Sequence, residues 1–258
     1  MALKTVRDFD LSGKRVLVRV DYNVPLKGGT VSDATRIEAS LPTLKYIIDE
    51  GASLVLASHL GRPKGKPNPE MSLRPVADKL SEMIGRPVQF AGDCVGDGVV
   101  ARAEKLESGE ILMLENVRFH AEEEKNDDAF SKELAGLADL YVNDAFGSAH
   151  RAHASTEGVA HHLPAAAGFL IEKEVKFFQP LLEKPEKPFV AIIGGAKVST
   201  KIGVLETLLP KCTTLIIGGG MSYTFLKAQG HEIGDSLFEE DYLQTAKDLL
   251  SQAERERV

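Results

Sequence analysis

The stretch RVLVRVDYNVP, residues 15–25, begins as a buried strand and then fills with polar groups. Side chains of an extended chain alternate faces with period two. Val16, Val18 and Val20 therefore share one face, and Arg19, Asp21 and Asn23 share the other. A core strand that aims a cation, an anion and an amide the same way, just as it ends, is delivering them to something.

Working outward, similar runs recur: SLVLAS (53–58), PVQF (87–90), ILMLEN (111–116), LYVNDA (140–145), FVAIIGG (189–195) and TLIIGGG (214–220). Helical patterns separate them. One carries Ile37, Leu41, Leu44 and Ile48, with Pro42 predicting a kink or a restart. A second starts at Ser72 as N-cap, with Val76, Leu80 and Ile84 following, and a third covers about 128–138. Strands alternating with helices predict an α/β fold built on mainly parallel sheets. The charged segment IEKEVKFFQPLLEKPEKP predicts a helix and linker over 171–187, between a domain at 1–170 and a second at 188–258. That second region offers only two clear strands, fewer than the four to six of a typical sheet. It reads as the first part of an incomplete domain.

Bulk properties narrow the function. The 258 residues carry a net charge of −7, which argues against nonspecific nucleic-acid binding. No apolar run approaches the roughly 18 residues of a membrane span, and the N-terminus lacks the apolar core of a signal peptide. Cys94 and Cys212 lie far apart without metal-ligand spacing and read as buried, reduced thiols of a cytoplasmic protein.

The polar groups that look wasted all follow strands. They are Asp21, Asn23 and Arg36; His59, Gly61 and Arg62; Arg118 and His120; and His150, Arg151 and His153. Open α/β sheets bind ligands at the carboxyl ends of their strands, so these loops should converge on one crevice. Arg36, Arg62, Arg118 and Arg151 would then gather in a net-acidic protein, and guanidinium forks match carboxylate and phosphate. The crevice should bind a small, multiply anionic ligand. Taken singly, each arginine reads more readily as a surface salt-bridge partner; it is four of them following strands that points to a site. Arg36 falls in the first turn of the helix after Asp33, where a cation opposes the helix dipole unless an anion binds there. Arg19 reads as half of a structural ion pair with a nearby carboxylate. AEEEKNDD (121–128) reads as a solvated face, and RPKGKPNP (62–69) as a mobile loop whose lysines need no function. His59, His150 and His153 lack zinc spacing.

The second region reads differently. IIGGAKVSTK sets two glycines after a strand, then Lys197 and Lys201, which share a face if the helix starts that early. IIGGGMSYTF repeats the design and suits a flat ligand lying on backbone, or simply a tight strand–helix turn. Neither stretch matches G-x-x-x-x-G-K-[ST] or G-x-G-x-x-G.

RVDYNVP, SHLGRP, LENVRFH, NDAFGSAHRAHAST, GGAKVSTKI and GGGMSYTFL occur in this order and spacing. From about residue 5 to the last residue, the sequence resembles the phosphoglycerate kinases. The resemblance implies two Rossmann-like parallel-sheet domains joined by a helix, the second incomplete here. It implies reversible phosphoryl transfer between 1,3-bisphosphoglycerate and ADP, giving 3-phosphoglycerate and ATP in a cytoplasmic monomer. By that resemblance Asp21, Asn23, Arg36, His59, Leu60, Gly61, Arg62, Arg118 and Arg151 bind the triose. Gly195, Lys197, Lys201, Gly219 and Gly220 fall in the nucleotide-binding turns. Arg36 and Lys197 match the groups that neutralise the transferring phosphoryl. The family uses Mg2+ with ADP or ATP, and its metal-ligating aspartate lies in a later Gly-Gly-Asp-Thr turn, so no metal ligand is expected in this chain. Residues 1 to about 170 are expected to fold alone and bind 3-phosphoglycerate weakly, with little turnover by the chain alone. Two other readings compete. One is a noncatalytic anion-binding module that retains only the triose site. The other is a nicotinamide-dependent oxidoreductase, disfavoured by the missing glycine fingerprint.

Overall fold

A computed structural model describes residues 3–258. The strands are β1 Arg15–Arg19, β2 Leu26–Lys27, β3 Thr30–Val31, β4 Ser53–Ala57, β5 Val88–Phe90, β6 Ile111–Met113, β7 Leu140–Asn143, β8 Ala165–Ala167, β9 Val190–Gly194 and β10 Thr214–Gly218. The α-helices are α1 Thr35–Asp49, α2 Arg74–Ile84, α3 Asp97–Ala103, α4 Ala121–Glu124, α5 Asp128–Ala135, α6 Phe169–Glu183, α7 Ile202–Leu208, α8 Ser222–Ala228 and α9 Leu243–Glu256. By Cα proximity the chain falls into two compact units, with the boundary between Val175 and Lys176, inside α6. Among the described residues no helix is long and apolar enough to cross a membrane.

The first unit is a six-stranded sheet in the order β5-β6-β4-β1-β7-β8, with every neighbouring pair parallel. β1 lies at its centre, where Val16 faces Leu54 of β4 on one side and Leu140 of β7 on the other. Period two works as the sequence demands. Val16, Val18 and Val20 enter one core with Leu54, Leu56 and the α1 face of Ile37, Leu44 and Ile47. Leu17 enters the opposite core with Val55, Leu112, Leu134 and Tyr141. Both faces are covered, which is the usual condition of a parallel sheet.

Several expectations are corrected. α1 runs through Pro42 without a restart. The ring lies on the exposed side, where water can satisfy the carbonyl of Glu38 that loses its partner. α2 begins after Leu73 rather than Ser72, although Ser72 Oγ still accepts the Arg74 amide at 3.2 Å. The segment 62–69 is anchored, because the Gly65 amide donates to the Arg118 carbonyl at 3.2 Å. The acidic run at 121–128 is not wholly solvated. A single turn of α4 exposes Glu122 and Glu124 but rotates Glu123 fully inward. Its carboxylate there accepts the Ser155 amide at 2.8 Å and the Ser155 hydroxyl at 2.6 Å.

The second unit pairs β9 and β10 in parallel over a small core of Val198, Leu205, Met221, Phe225, Ala246 and Leu249. One sheet face stays bare, with Ile192 72% and Ile216 47% exposed.

Glu123 supplies a stability test. Replacing it by Ala strands the Ser155 donors and the buried cation behind them. Urea denaturation of Glu123→Ala should show a loss of about 3–5 kcal/mol, whereas a solvated-face residue would lose under about 0.5 kcal/mol.

Candidate functional site

The loops leaving the carboxyl ends of β1, β4, β6 and β7 meet where the sheet changes direction about β1. They enclose a cavity of about 220 Å³ lined by Asp21, Asn23, Arg36, His59, Gly61, Arg62, Arg118, Gly147, Ser148 and Arg151. Eight of the nine residues expected from the sequence thus share one wall. The exception is Leu60, which is buried in the hydrophobic core and whose carbonyl accepts Asn116 Nδ2 at 2.7 Å. His150 and His153 do not line the cavity. Gly147 and Ser148 do, and residue-type reasoning passed over them. Gly147 is readable afterwards as a close approach, since a Cβ there would stand 2.4 Å from Asp21 Oδ2.

Backbone and side chains fix the walls together. Gly61 donates its amide to Asn23 Oδ1 at 2.9 Å, and its carbonyl accepts Arg118 Nη1 at 2.9 Å. Asn116, fully buried after β6, also donates to the Met71 carbonyl at 2.9 Å and accepts the Arg118 amide at 3.1 Å. Arg36 occupies the first turn of α1, as expected, behind Asp33, whose Oδ1 accepts the Thr35 amide at 2.9 Å. Asp21 stands 2.7 Å from Arg36 and supplies the anion that this misplaced cation needs. Arg118 reaches Glu124 at 3.4 Å, while among the described residues Arg62 and Arg151 have no carboxylate within ion-pair range.

Arg19 departs from expectation. It is fully buried and pairs with no carboxylate among the described residues. Its Nε donates to Ser155 Oγ at 2.7 Å, Nη1 donates to the Val20 carbonyl, and Nη2 lies 3.0 Å from His59 Nδ1. Guanidinium cannot accept, so Nδ1 must. His59 is therefore neutral with its proton on Nε2. Burial and then the charge of Arg19, with Arg118, Arg151 and Arg36 adding, lower its pKa to about 2. The cavity presents four cations, one carboxylate already engaged, and a neutral ring fixed as a hydrogen-bond donor.

In the second unit the glycine turns after β9 and β10 lie against each other. Gly219 has φ +70°, and a Cβ there would sit 2.8 Å from the Gly195 carbonyl, which accepts the Met221 amide at 2.8 Å. Packing alone thus requires Gly219. Gly220 is similarly close to the Ala196 carbonyl at 3.1 Å. Lys197 and Lys201 do not share a helix face, because α7 starts only at Ile202. Both stand in the preceding turn, where Lys201 donates its amide to the Val198 carbonyl at 2.8 Å. Nearby, Glu239 accepts the Ser199 amide and hydroxyl at 2.9 and 2.6 Å.

Comparison with known proteins agrees with these motifs. The phosphoglycerate kinase family model matches residues 6–258. The phosphoglycerate kinase of Moorella thermoacetica is 60% identical over 258 residues, covering 100% of this chain and 66% of its own length. That of Finegoldia magna is 57% identical over 260 residues, with the same coverage. The solved phosphoglycerate kinase of Coxiella burnetii superposes with a TM-score of 0.88 at 42% identity, covering 100% of this chain and 65% of that one. The Pyrococcus horikoshii OT3 structure gives 0.79 at 32% identity, covering 99% and 64%. This chain thus spans about two thirds of the length of the relatives it matches. With matching motifs, matching fold and a family model covering nearly every residue, the chain belongs to the phosphoglycerate kinase family.

Proposed function

We propose that this chain carries the triose-binding part and the first portion of the nucleotide-binding part of an enzyme that transfers a phosphoryl group between 1,3-bisphosphoglycerate and ADP. The products are 3-phosphoglycerate and ATP. The observation that carries this reading is the arginine-lined cavity at the strand ends. Arg62, Arg118 and Arg151 suit the carboxylate and phosphate of a three-carbon acid. Asp21 and Asn23 suit its hydroxyl and carboxylate end, and His59 adds one fixed N–H donor. Phosphoryl transfer needs little covalent help from the protein and depends on positioning and charge neutralisation. Arg36, half exposed at the rim, and Lys197 are suited to the transferring phosphoryl.

On the nucleotide side, Gly195, Gly219 and Gly220 offer bare backbone, and Lys197 and Lys201 offer cations to phosphate. Magnesium would arrive with the nucleotide and neutralise phosphate oxygens. Neither glycine turn contains a carboxylate, so this chain's share there is the two lysines. The buried free thiols Cys94 and Cys212 suit a reducing compartment such as the cytoplasm. The alternative, a noncatalytic module with the triose site alone, leaves the paired glycine turns and their lysines without a task.

Calorimetric titration with 3-phosphoglycerate should show one site. Arg62→Met should weaken it by about tenfold or more, in line with the loss of a charged hydrogen bond, and Lys201→Met should leave it unchanged. Equal affinity in Arg62→Met and the parent would sink the triose assignment. A nucleotide titration that is equally blind to Lys201→Met would favour the noncatalytic module.

The histidine gives a second test. A base whose folded pKa lies below its unfolded value contributes stability at higher pH, and loses it as pH falls. For His59 that window runs from 6.5 down to about 2. Nitrogen NMR should find the Nε2–H tautomer unchanged between about pH 5 and 8, where an ordinary histidine titrates. Arg19→Met should raise the pKa of His59 but leave it below the ordinary 6.5, because burial, the larger cause, remains. Titration of His59 in the parent protein would refute the fixed donor.

A further inference from the structure

A second cavity, of about 720 Å³, opens beside the carboxyl ends of the neighbouring strands β5 and β6. Asp93 and His120 are on its wall, and Cys94 adjoins them. The parallel pairing of the two strands explains how residues so far apart in sequence meet. The bend after β5 supplies Asp93 and Cys94, and the turn after β6 supplies His120. One carboxylate oxygen, the thiol sulfur and one ring nitrogen all lie within 4.8 Å of one another. Spacing rules miss such a set because they look for ligands close in sequence.

We propose that Asp93, Cys94 and His120 form a binding site for a zinc-like divalent transition-metal ion, independent of the arginine-lined cavity. Carboxylate, thiolate and imidazole are all zinc donors. Asp93 Oδ1 and His120 Nε2 already stand 2.6 Å apart, sharing a proton that a metal would replace. The Cys94 thiol contacts the Glu115 carbonyl at 3.4 Å and the Asp93 carboxylate, and burial and then the surrounding carboxylates push its pKa well up, a cost that a bound cation would offset. Ligand bonds of about 2.0–2.3 Å place tetrahedral donors about 3.3–3.6 Å apart. Closing the set therefore needs a shift of about 1 Å from the exposed Asp93 side chain, whose Oδ1 also accepts the Cys94 amide at 2.7 Å. The ring of His120 is oriented by stacking on Phe130, with centroids 5.0 Å apart. Glu115, on the same wall, is not a ligand. Its oxygens accept the Ser72 hydroxyl and the Leu73 and Asn116 amides.

Three protein donors would leave a fourth position for water or a small ligand, as in zinc sites that are not purely structural, and Asp93 and His120 line the cavity from which it would come. Binding releases the thiol proton to solvent and moves the imidazole proton from Nε2 to Nδ1. No redox step is involved.

The test uses the full chain, stripped with a chelator and titrated with Co2+ alone. One equivalent should bind, with the near-ultraviolet charge-transfer band of thiolate-ligated cobalt, and Zn2+ should displace it. Cys94→Ser should abolish the band, and His120→Gln should weaken Co2+ binding by about tenfold or more. Cys212→Ser should change neither. Circular dichroism identifies any variant that fails to fold, and the surface change His120→Gln then decides alone. No thiolate band in the parent, a band that survives Cys94→Ser, or undiminished affinity in His120→Gln would overturn the site.

Discussion

Arg19 holds a full charge where no solvent reaches, and the loops of the first unit are arranged around accommodating it. A buried cation is tolerable only when its donors are matched and a counter-charge stands close. Here the counter-charge is relayed. Arg19 donates to Ser155, and Ser155 donates amide and hydroxyl to Glu123, itself buried. The Tyr141 hydroxyl donates to the Ser155 and Thr156 carbonyls at 2.8 and 3.2 Å, tying the far end of the relay to β7. One charge thereby joins β1, the turn of α4 and the loop after β7. Its remaining nitrogen fixes the protonation of His59. The site inherits its rigidity from this interior chain rather than from the arginines on its surface.

That chain also marks the limit of what the sequence disclosed. β1 and the residues lining its end were legible, because period two and the carboxyl-end rule are local statements joined to one topological rule. The partners of Arg19 were not. Ser155 is 136 residues away, and nothing in AEEEKNDD distinguishes Glu123 from its solvated neighbours until α4 turns it inward. β8 escaped notice because an alanine triplet carries almost no strand preference and is recruited by pairing with β7. The β2–β3 hairpin is only two residues per strand, held by the tight Gly28-Gly29 turn with φ +60° and +76°. Spacing puts Lys197 and Lys201 on one face only if the helix starts before them, and spacing cannot locate a helix start.

The cavity's charge balance is equally a product of context. Four guanidiniums in so small a space repel one another, and the chain relieves this unevenly. Arg36 is paired with Asp21 and Arg118 leans on Glu124, while Arg62 and Arg151 face the cavity without carboxylate partners. Making His59 neutral removes what would have been a fifth cation. Burial first, and then the same repulsion, lower its pKa, so burial, field and hydrogen bond act in one direction. An anion entering the cavity meets an excess of positive charge that is already desolvated on one side, where each interaction is stronger than in water.

The strand end also reaches beyond the cavity. The Asp144 amide donates to the Arg19 carbonyl at 2.9 Å, and its Oδ1 accepts the Leu170 amide at 2.8 Å at the start of α6. Thr43 of α1 accepts the Phe169 amide at 3.0 Å beside it. Burial raises the Asp144 carboxyl to about 6, so the folded state holds its proton more tightly than the unfolded chain does. Its contribution to stability is full below the unfolded value of 3.8 and is lost as pH rises through about 6. At neutral pH the residue is an anion at a helix N-terminus, where the helix dipole offsets part of that loss. Two residues further along the chain stand Phe146 and then Gly147, whose backbone closes on Asp21. The end of β1 and the first turn of the helix that contains the unit boundary are therefore held by the same residue, the one through its backbone and the other through its side chain. No room exists for slack between them, since a Cβ on Gly168 would stand 2.3 Å from Asp144 Oδ1. Asp144 thus stands between the cavity's Gly147 wall and the head of α6, with its backbone bonded to the buried arginine.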